Sequence, residues 1–243
     1  MLEARALTKD FGSHRALDKL DLRVEPGEIV CLLGANGAGK TTTINLFLGF
    51  LEPSAGEALV DGVEVRKDPT GTKRKLLYVP EQIALFSELT GLENLSYFAA
   101  LSGIDDRTPA RLRDCLRQAG LADDAMQRRA SGYSKGMRQK VGLALAIAKQ
   151  ARALLLDEPT SGLDPQASAE FHDLVIRQRD AGAAVLMVTH DLFRAREVGT
   201  RIGLMREGRL RRMIAAADIT AAELEGLYLE EMGRVVPSSA DAR

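Results

Sequence analysis

No window of this chain reaches the ~18–20 uninterrupted apolar residues that cross a bilayer as a helix. The start, "MLEARALTKDF", is charged early and has no apolar signal-peptide core. The sequence is therefore expected to stay in the cytoplasm. Cysteine is scarce: Cys31 lies inside the apolar run "IVCLLG", and Cys115 is far from it. That pattern excludes a disulfide scaffold and fits a reducing compartment. Excess positive charge is missing too. The formal net charge is -1, whereas a general nucleic-acid surface needs a clustered cationic excess against phosphates. There is no internal repeat and no low-complexity tract.

What is present is enough for a substantial core: 243 residues, 45% hydrophobic and 28% charged. The length fits one large α/β domain, or a core with an inserted subdomain. Apolar runs of strand length occur at "IVCLLG" (29–34), "ALLLD" (153–157) and "AVLMV" (184–188). Runs this apolar are strands buried on both faces, as in parallel sheets covered by helices. Helical patterns lie between them at Lys40 to Gly49, Arg138 to Gln150 and Gln166 to Ala181. Residues 1–30 and 56–66 are alternating segments cut by Gly, Asp and Pro, which predicts a small antiparallel sheet. Residues 84–133 are mainly helical, so a helical insertion interrupts the core. "MREGRLRRM" predicts a hairpin, its Arg206, Arg209, Arg211 and Arg212 a solvated face. Thr220 with Glu223 predicts a capping box opening a final helix, and the tail "VVPSSADAR" is expected to be mobile.

"GANGAGKT", Gly34 to Thr41, follows a buried strand and precedes a helix, the context of a phosphate-binding P-loop. Glycines let the backbone wrap a phosphate, and the N–H groups around Asn36, Gly37, Ala38 and Gly39 and at the helix start aim at the anion. Lys40 places a positive charge at the β/γ-phosphates, and the Thr41 hydroxyl can ligate Mg²⁺. "ALLLDEP" ends a strand in Asp157-Glu158. An aspartate there holds Mg²⁺, and the adjacent Glu158 activates the attacking water as a general base. His190, ending the next buried run in "VLMVTHD", stands where ligands of open α/β sheets gather, within reach of a γ-phosphate. His14 and His172 have no such context.

"YSKGMRQK", Tyr133 to Lys140, opens a helix with Ser-Lys-Gly and no local ligand, so a serine N-cap is its plainest reading. With the P-loop before it, "LLLDEPTSGLD" after it and "THD" beyond, however, it resembles the signature of the ATP-binding subunits of ABC transporters, over roughly residues 2–215. The resemblance implies an α/β fold: a P-loop NTPase core with an antiparallel β-subdomain and an inserted helical subdomain at about 84–150. Residues 216–243 then form a short C-terminal helix and tail. It implies ATP and Mg²⁺ as cofactors, and a head-to-tail dimer, homodimer or heterodimer with a paralogue. In that dimer Ser134 and Gly136 meet the γ-phosphate held by the other protomer. Lys135 replaces a family glycine and Met137 a glutamine, as in export-type relatives.

The same resemblance assigns Phe11 to stacking on adenine, Thr42 to the α-phosphate and Asp164 to a loop that couples the two sites. In "YVPEQ" the family places a glutamine after "VP"; here Glu81 stands there with Gln82 next. Gln82 is favoured for the contact with Mg²⁺ and the attacking water, because another carboxylate would change the local charge. Leu95, Phe98 and Leu101 lie where the family receives a helix of a membrane subunit, although core packing is the favoured reading of each. The implied function is ATP hydrolysis that drives transport, in the export direction, through a separate transmembrane permease. The chain would then sit on the cytoplasmic face through that partner, with no nucleic acid involved. The alternative is a mechanical or regulatory module moving a membrane partner without solute translocation.

Overall fold

The apolar runs become strands that bury both faces, and the order in which they pair decides where the chemistry gathers. In the computed structural model, which describes residues 1–233, β1 (Leu2–Phe11) and β2 (His14–Val24) form an antiparallel hairpin. β3 (Glu28–Leu33) enters the interior and leads through the glycine loop into α1 (Lys40–Phe47). β4 (Ala55–Val60) and β5 (Val63–Glu64) complete an antiparallel sheet of order β2-β1-β4-β5. Next come α2 (Pro69–Lys75) and β6 (Leu76–Val79). Four helices follow: α3 (Gly91–Leu101), α4 (Pro109–Gln118), α5 (Asp123–Met126) and α6 (Lys135–Lys149). The chain then alternates through β7 (Ala153–Asp157), α7 (Pro165–Asp180), β8 (Ala184–Val188) and α8 (Leu192–Val198). The hairpin β9 (Arg201–Arg206) and β10 (Arg209–Ala215) and the helix α9 (Ala221–Glu231) end it.

The second sheet has the order β10-β9-β3-β8-β7-β6 and is parallel except for the β9–β10 hairpin. The period of two divides its side chains between two cores. Ile29, Cys31 and Leu33 face one way with Leu156 and Met187; Val30 and Leu32 face the other with Leu155 and Leu186. The first core runs on through Leu95, Leu112, Leu116 and Leu143 of the inserted helices, and the second through Ile44 and Phe47 of α1 to Leu2 and Leu20 of the antiparallel sheet. Each buried Leu or Ile contributes about 1.5–3 kcal/mol, so both layers are fastened to β3, the strand that carries the glycine loop.

The three apolar runs are β3, β7 and β8, and the Thr220–Glu223 capping box forms with both of its bonds. α6 begins at Lys135, earlier than its apolar periodicity, because Ser134 caps it. β6 went unread: "LLYV" has four residues and follows directly on the basic end of α2. β9 was expected only as half of a hairpin, yet it pairs in parallel with β3 and extends the core sheet. The arginine-rich hairpin is the solvated face expected, with Arg209, Arg211 and Arg212 exposed, and three of its arginines also make local bonds. Arg209 pairs with Asp18, Arg212 with Glu231, and Arg206 donates to the Glu231 carbonyl at 2.6 Å, which fastens α9. The tail from Val235 lies outside the described residues, among which no helix is long and apolar enough to cross a membrane.

His172, on α7, is buried, and neither ring nitrogen has a hydrogen-bond partner. Burial first, then Arg194, holds its pKa below the ordinary value, while Glu197, Asp191 and Asp173 act the other way. The unfolded chain takes up this proton near pH 6.5, and the folded chain resists it. Stability is therefore expected to fall as pH drops below about 6.5, until the lower folded-state pKa is reached. His172→Leu should flatten the dependence of the urea midpoint on pH between about 7 and 5. An unchanged slope in that variant would place the acid sensitivity elsewhere.

Candidate active site

Tight backbone approach decides the shape of the loop between β3 and α1. A Cβ at Gly34 would lie 2.4 Å from the Met205 carbonyl oxygen, so only glycine fits against β9. Gly37 and Gly39 take φ of 82° and 102°, the left-handed region glycine enters without a Cβ clash. Gly39 offers no side-chain cap to α1, which leaves the first-turn N–H groups for an anion. The buried Lys40 ammonium spans the loop, donating to Gly34 O at 2.6 Å and Ala35 O at 3.1 Å. Burial lowers the pKa of Lys40, while Glu158 and Asp157 raise it, so both carboxylates act on this ammonium. Asn36, Gly37 and Thr41 are exposed, Thr42 is half-buried, and Ala38 is buried.

A second support was not foreseen. The β9–β10 turn places Gly208, φ 74°, against the loop: its N–H donates to Ala38 O at 3.1 Å, and its carbonyl accepts from Asp18 N at 3.0 Å. From the other side, a Cβ at Gly39 would lie 2.7 Å from Ala16 O. The loop is thus gripped between β2 and the C-terminal hairpin. In the sequence only "REGR" marked that turn, with nothing to say what it touches. Phe11, at the tip of the β1–β2 hairpin, is 46% exposed and lies under the Lys9 ammonium, 5.1 Å from the ring centre.

Sheet order brings the carboxylates beside this loop, because β7 stands one strand beyond β8, the neighbour of β3. Asp157 is the last residue of β7. Burial and the adjacent Glu158 raise its pKa, opposed by Tyr78 and Lys40. The Tyr78 hydroxyl lies 3.5 Å from Asp157 Oδ2, and burial with Asp157 pushes its pKa up to about 12. Tyr78 belongs to the unread β6, and periodicity alone could not have placed it here. Glu158 has φ 47° and donates its N–H to Val188 O at 2.9 Å, a left-handed conformation that costs a non-glycine residue about 1–3 kcal/mol. Its Oε2 lies 2.9 Å from Nδ1 of His190.

The remaining expected residues gather at the start of α6. Ser134 is exposed and caps the helix, accepting from Met137 N at 3.3 Å. Gly136 packs toward Ala167 of α7, and Asp164 caps α7 by accepting from Ala167 N at 2.9 Å. Gln139 of α6 donates to Pro80 O at 3.2 Å and Glu81 O at 3.1 Å, holding the loop that carries the exposed Glu81 and Gln82. Among the described residues no hydrogen bond joins Ser134 or Gly136 to the Gly34–Thr41 loop. The Thr41 hydroxyl, the Asp157 carboxylate and the Gln82 amide carbonyl are hard oxygen donors of the kind Mg²⁺ takes, and the raised pKa of Asp157 marks a place where added positive charge is favourable.

A glycine loop after the central strand of a parallel sheet, with a buried lysine facing a strand-end carboxylate pair, defines a P-loop nucleotide-hydrolase site. The family model described as "ABC transporter" matches residues 17–161, and the chain belongs to that family as an ATP-binding ABC ATPase. It is 36% identical over 233 residues to the doxorubicin resistance ATP-binding protein DrrA of Mycobacterium tuberculosis, covering 94% of this chain and 68% of that one. A solved ATP-binding subunit of an ABC transporter superposes with TM-score 0.84 at 30% identity, covering 96% of this chain and 99% of that one. A dimeric ATP-binding cassette in a post-hydrolysis state bound to ADP and Pi superposes with TM-score 0.78 at 27% identity, covering 89% and 99%. The expected architecture, a P-loop core with an antiparallel sheet and inserted helices, is the one observed.

Proposed function

We propose that the chain is the ATP-hydrolysing motor of an export system, closing as a dimer around two ATP molecules and driving a separate transmembrane permease. One observation carries this reading. Lys40, Asp157, Glu158 and His190 meet at one end of the parallel sheet, whereas the exposed Ser134 cap stands at a helix start with no ligand of its own chain. A site complete for phosphate on one side and spare on the other suits a head-to-tail pair. In this arrangement the loop N–H groups and Lys40 bind the β/γ-phosphates, Thr42 the α-phosphate, and Phe11 stacks on adenine. Glu158, with His190 beside it, takes the proton from the attacking water. Mg²⁺, held through Thr41, Asp157 and Gln82, would neutralise charge developing on the phosphates. Ser134 and Gly136 contact the partner's γ-phosphate, and Asp164 lies on the turn that couples the two sites.

The export direction is supported by the drug-resistance relatives. The permease is supported by an apolar groove of about 190 Å³ beside the Glu81–Gln82 loop, lined by Tyr78, Pro80, Ile83, Phe98 and Leu145. Leu95 is fully buried in its floor, and the exposed Phe86, Tyr97 and Leu101 flank it. Purification of the tagged chain from detergent-solubilised membranes should bring down a multi-spanning protein at comparable stoichiometry. A single-span partner without a translocation path would favour a mechanical module instead. An active ATPase preparation without any membrane partner would overturn the transport reading.

A further inference from the structure

The third residue of the signature, Lys135, does not project freely from the helix start. Its Nζ donates to the Ser161 carbonyl at 2.5 Å, and the ammonium lies 3.6 Å from Glu81 Oε1. A Cβ at Gly162 would come 3.9 Å from the same nitrogen. One turn further along α6, Gln139 grips the Pro80 and Glu81 carbonyls. The first two turns of α6 therefore hold two separate loops, one leaving β6 and one leaving β7. Lys135 is the only side chain among these contacts that reaches both.

We propose that Lys135 is a positioning residue that acts inward. It ties the Pro80–Gln82 loop and the Thr160–Asp164 turn to the signature helix, so that both loops shift with α6 as one body. Glu81 is its counter-charge, and the pairing draws that carboxylate toward α6. Lys135 and Glu81, two of the residues that depart from the family pattern, are thus one unit, and Gln82 is left as the side chain of that loop directed to the nucleotide. The inference rests on the reading of this site as an ATP motor, but its physical core, the tether, does not need turnover to be observed.

The competing role for Lys135 is a direct contact with phosphate held by a partner copy. The two roles separate in a set of variants: Lys135→Met, Lys135→Arg, Glu81→Gln, and Lys135→Met combined with Glu81→Gln. A tether predicts that Lys135→Met lowers kcat by about fivefold, the size of one lost hydrogen bond to a carbonyl, with KM for ATP within about twofold. Lys135→Arg, which keeps charge and reach, should recover most of the loss. In the Glu81→Gln background the same lysine substitution should cost about twofold less, as for a half-exposed ion pair. Amide hydrogen exchange on the full chain without nucleotide should quicken together in residues 81–84 and 160–163 of Lys135→Met. A rise in KM with kcat kept, independent of Glu81, would overturn the tether in favour of phosphate contact, as would unchanged exchange in both segments. Absence of hydrolysis by the wild-type chain, with the exchange change still present, would instead remove the motor reading and leave the tether standing.

Discussion

Glu158→Gln is expected to lower ATP turnover by roughly 10²–10⁴-fold, the range for removal of a general base, while ATP affinity stays within about threefold. The glutamine keeps the side chain's size and its place beside His190, whose Nδ1 lies 2.9 Å from the Glu158 carboxylate. The left-handed backbone at φ 47° is unchanged as well, since both side chains meet the same steric cost there. Only the capacity to take a proton from water is lost. The substitution also removes the neighbouring negative charge that helps raise the pKa of Asp157, so ion binding at Asp157 should not suffer. Single-turnover hydrolysis with a parallel nucleotide titration measures both quantities. Wild-type turnover would show that another group serves as base.

Lys40→Met is expected to weaken ATP binding by about 10–100-fold, the scale of one or two charge-assisted hydrogen bonds. The methionine keeps most of the buried stem's volume, so the core beneath it stays filled. It forfeits the ammonium that spans Gly34 O and Ala35 O and faces Glu158 and Asp157. Part of the loss is local: with no cation between them, the two carboxylates repel each other and any phosphate more strongly. Titration of a fluorescent ATP analogue measures the effect, and a circular dichroism melt separates it from misfolding. Unchanged affinity in a folded variant would contradict the role of Lys40 in the phosphate cradle.

The residues legible in the sequence are those whose constraint is local. The loop from Gly34 to Thr41 needs glycine for its own backbone, and Asp157-Glu158 ends a strand too apolar to be anything but buried. Ser134, Asp164 and Thr220 announce helix starts by the bonds they accept within one turn. The unread features depend on pairing across the chain. β6 and β9 are defined by their neighbours β7 and β3, not by period; Gly208 matters because it meets Ala38, and Tyr78 because it meets Asp157. A phosphate-facing place for His190 follows from its strand end, whereas its approach to Glu158 depends on the left-handed turn that no local pattern displays. Lys135 and Glu81 were each visible as departures from a family pattern, but only the fold brings them together.

In the proposed motor two protomers close around ATP, with Ser134 and Gly136 completing the partner's site. The mass of the Glu158→Gln variant in solution, measured by light scattering with and without saturating ATP and Mg²⁺, tests it most directly. The expected result is a monomer that doubles in mass with ATP and fails to do so when Ser134→Arg is added. A variant that binds ATP yet stays monomeric, or doubles in mass equally well with Ser134→Arg, would contradict it.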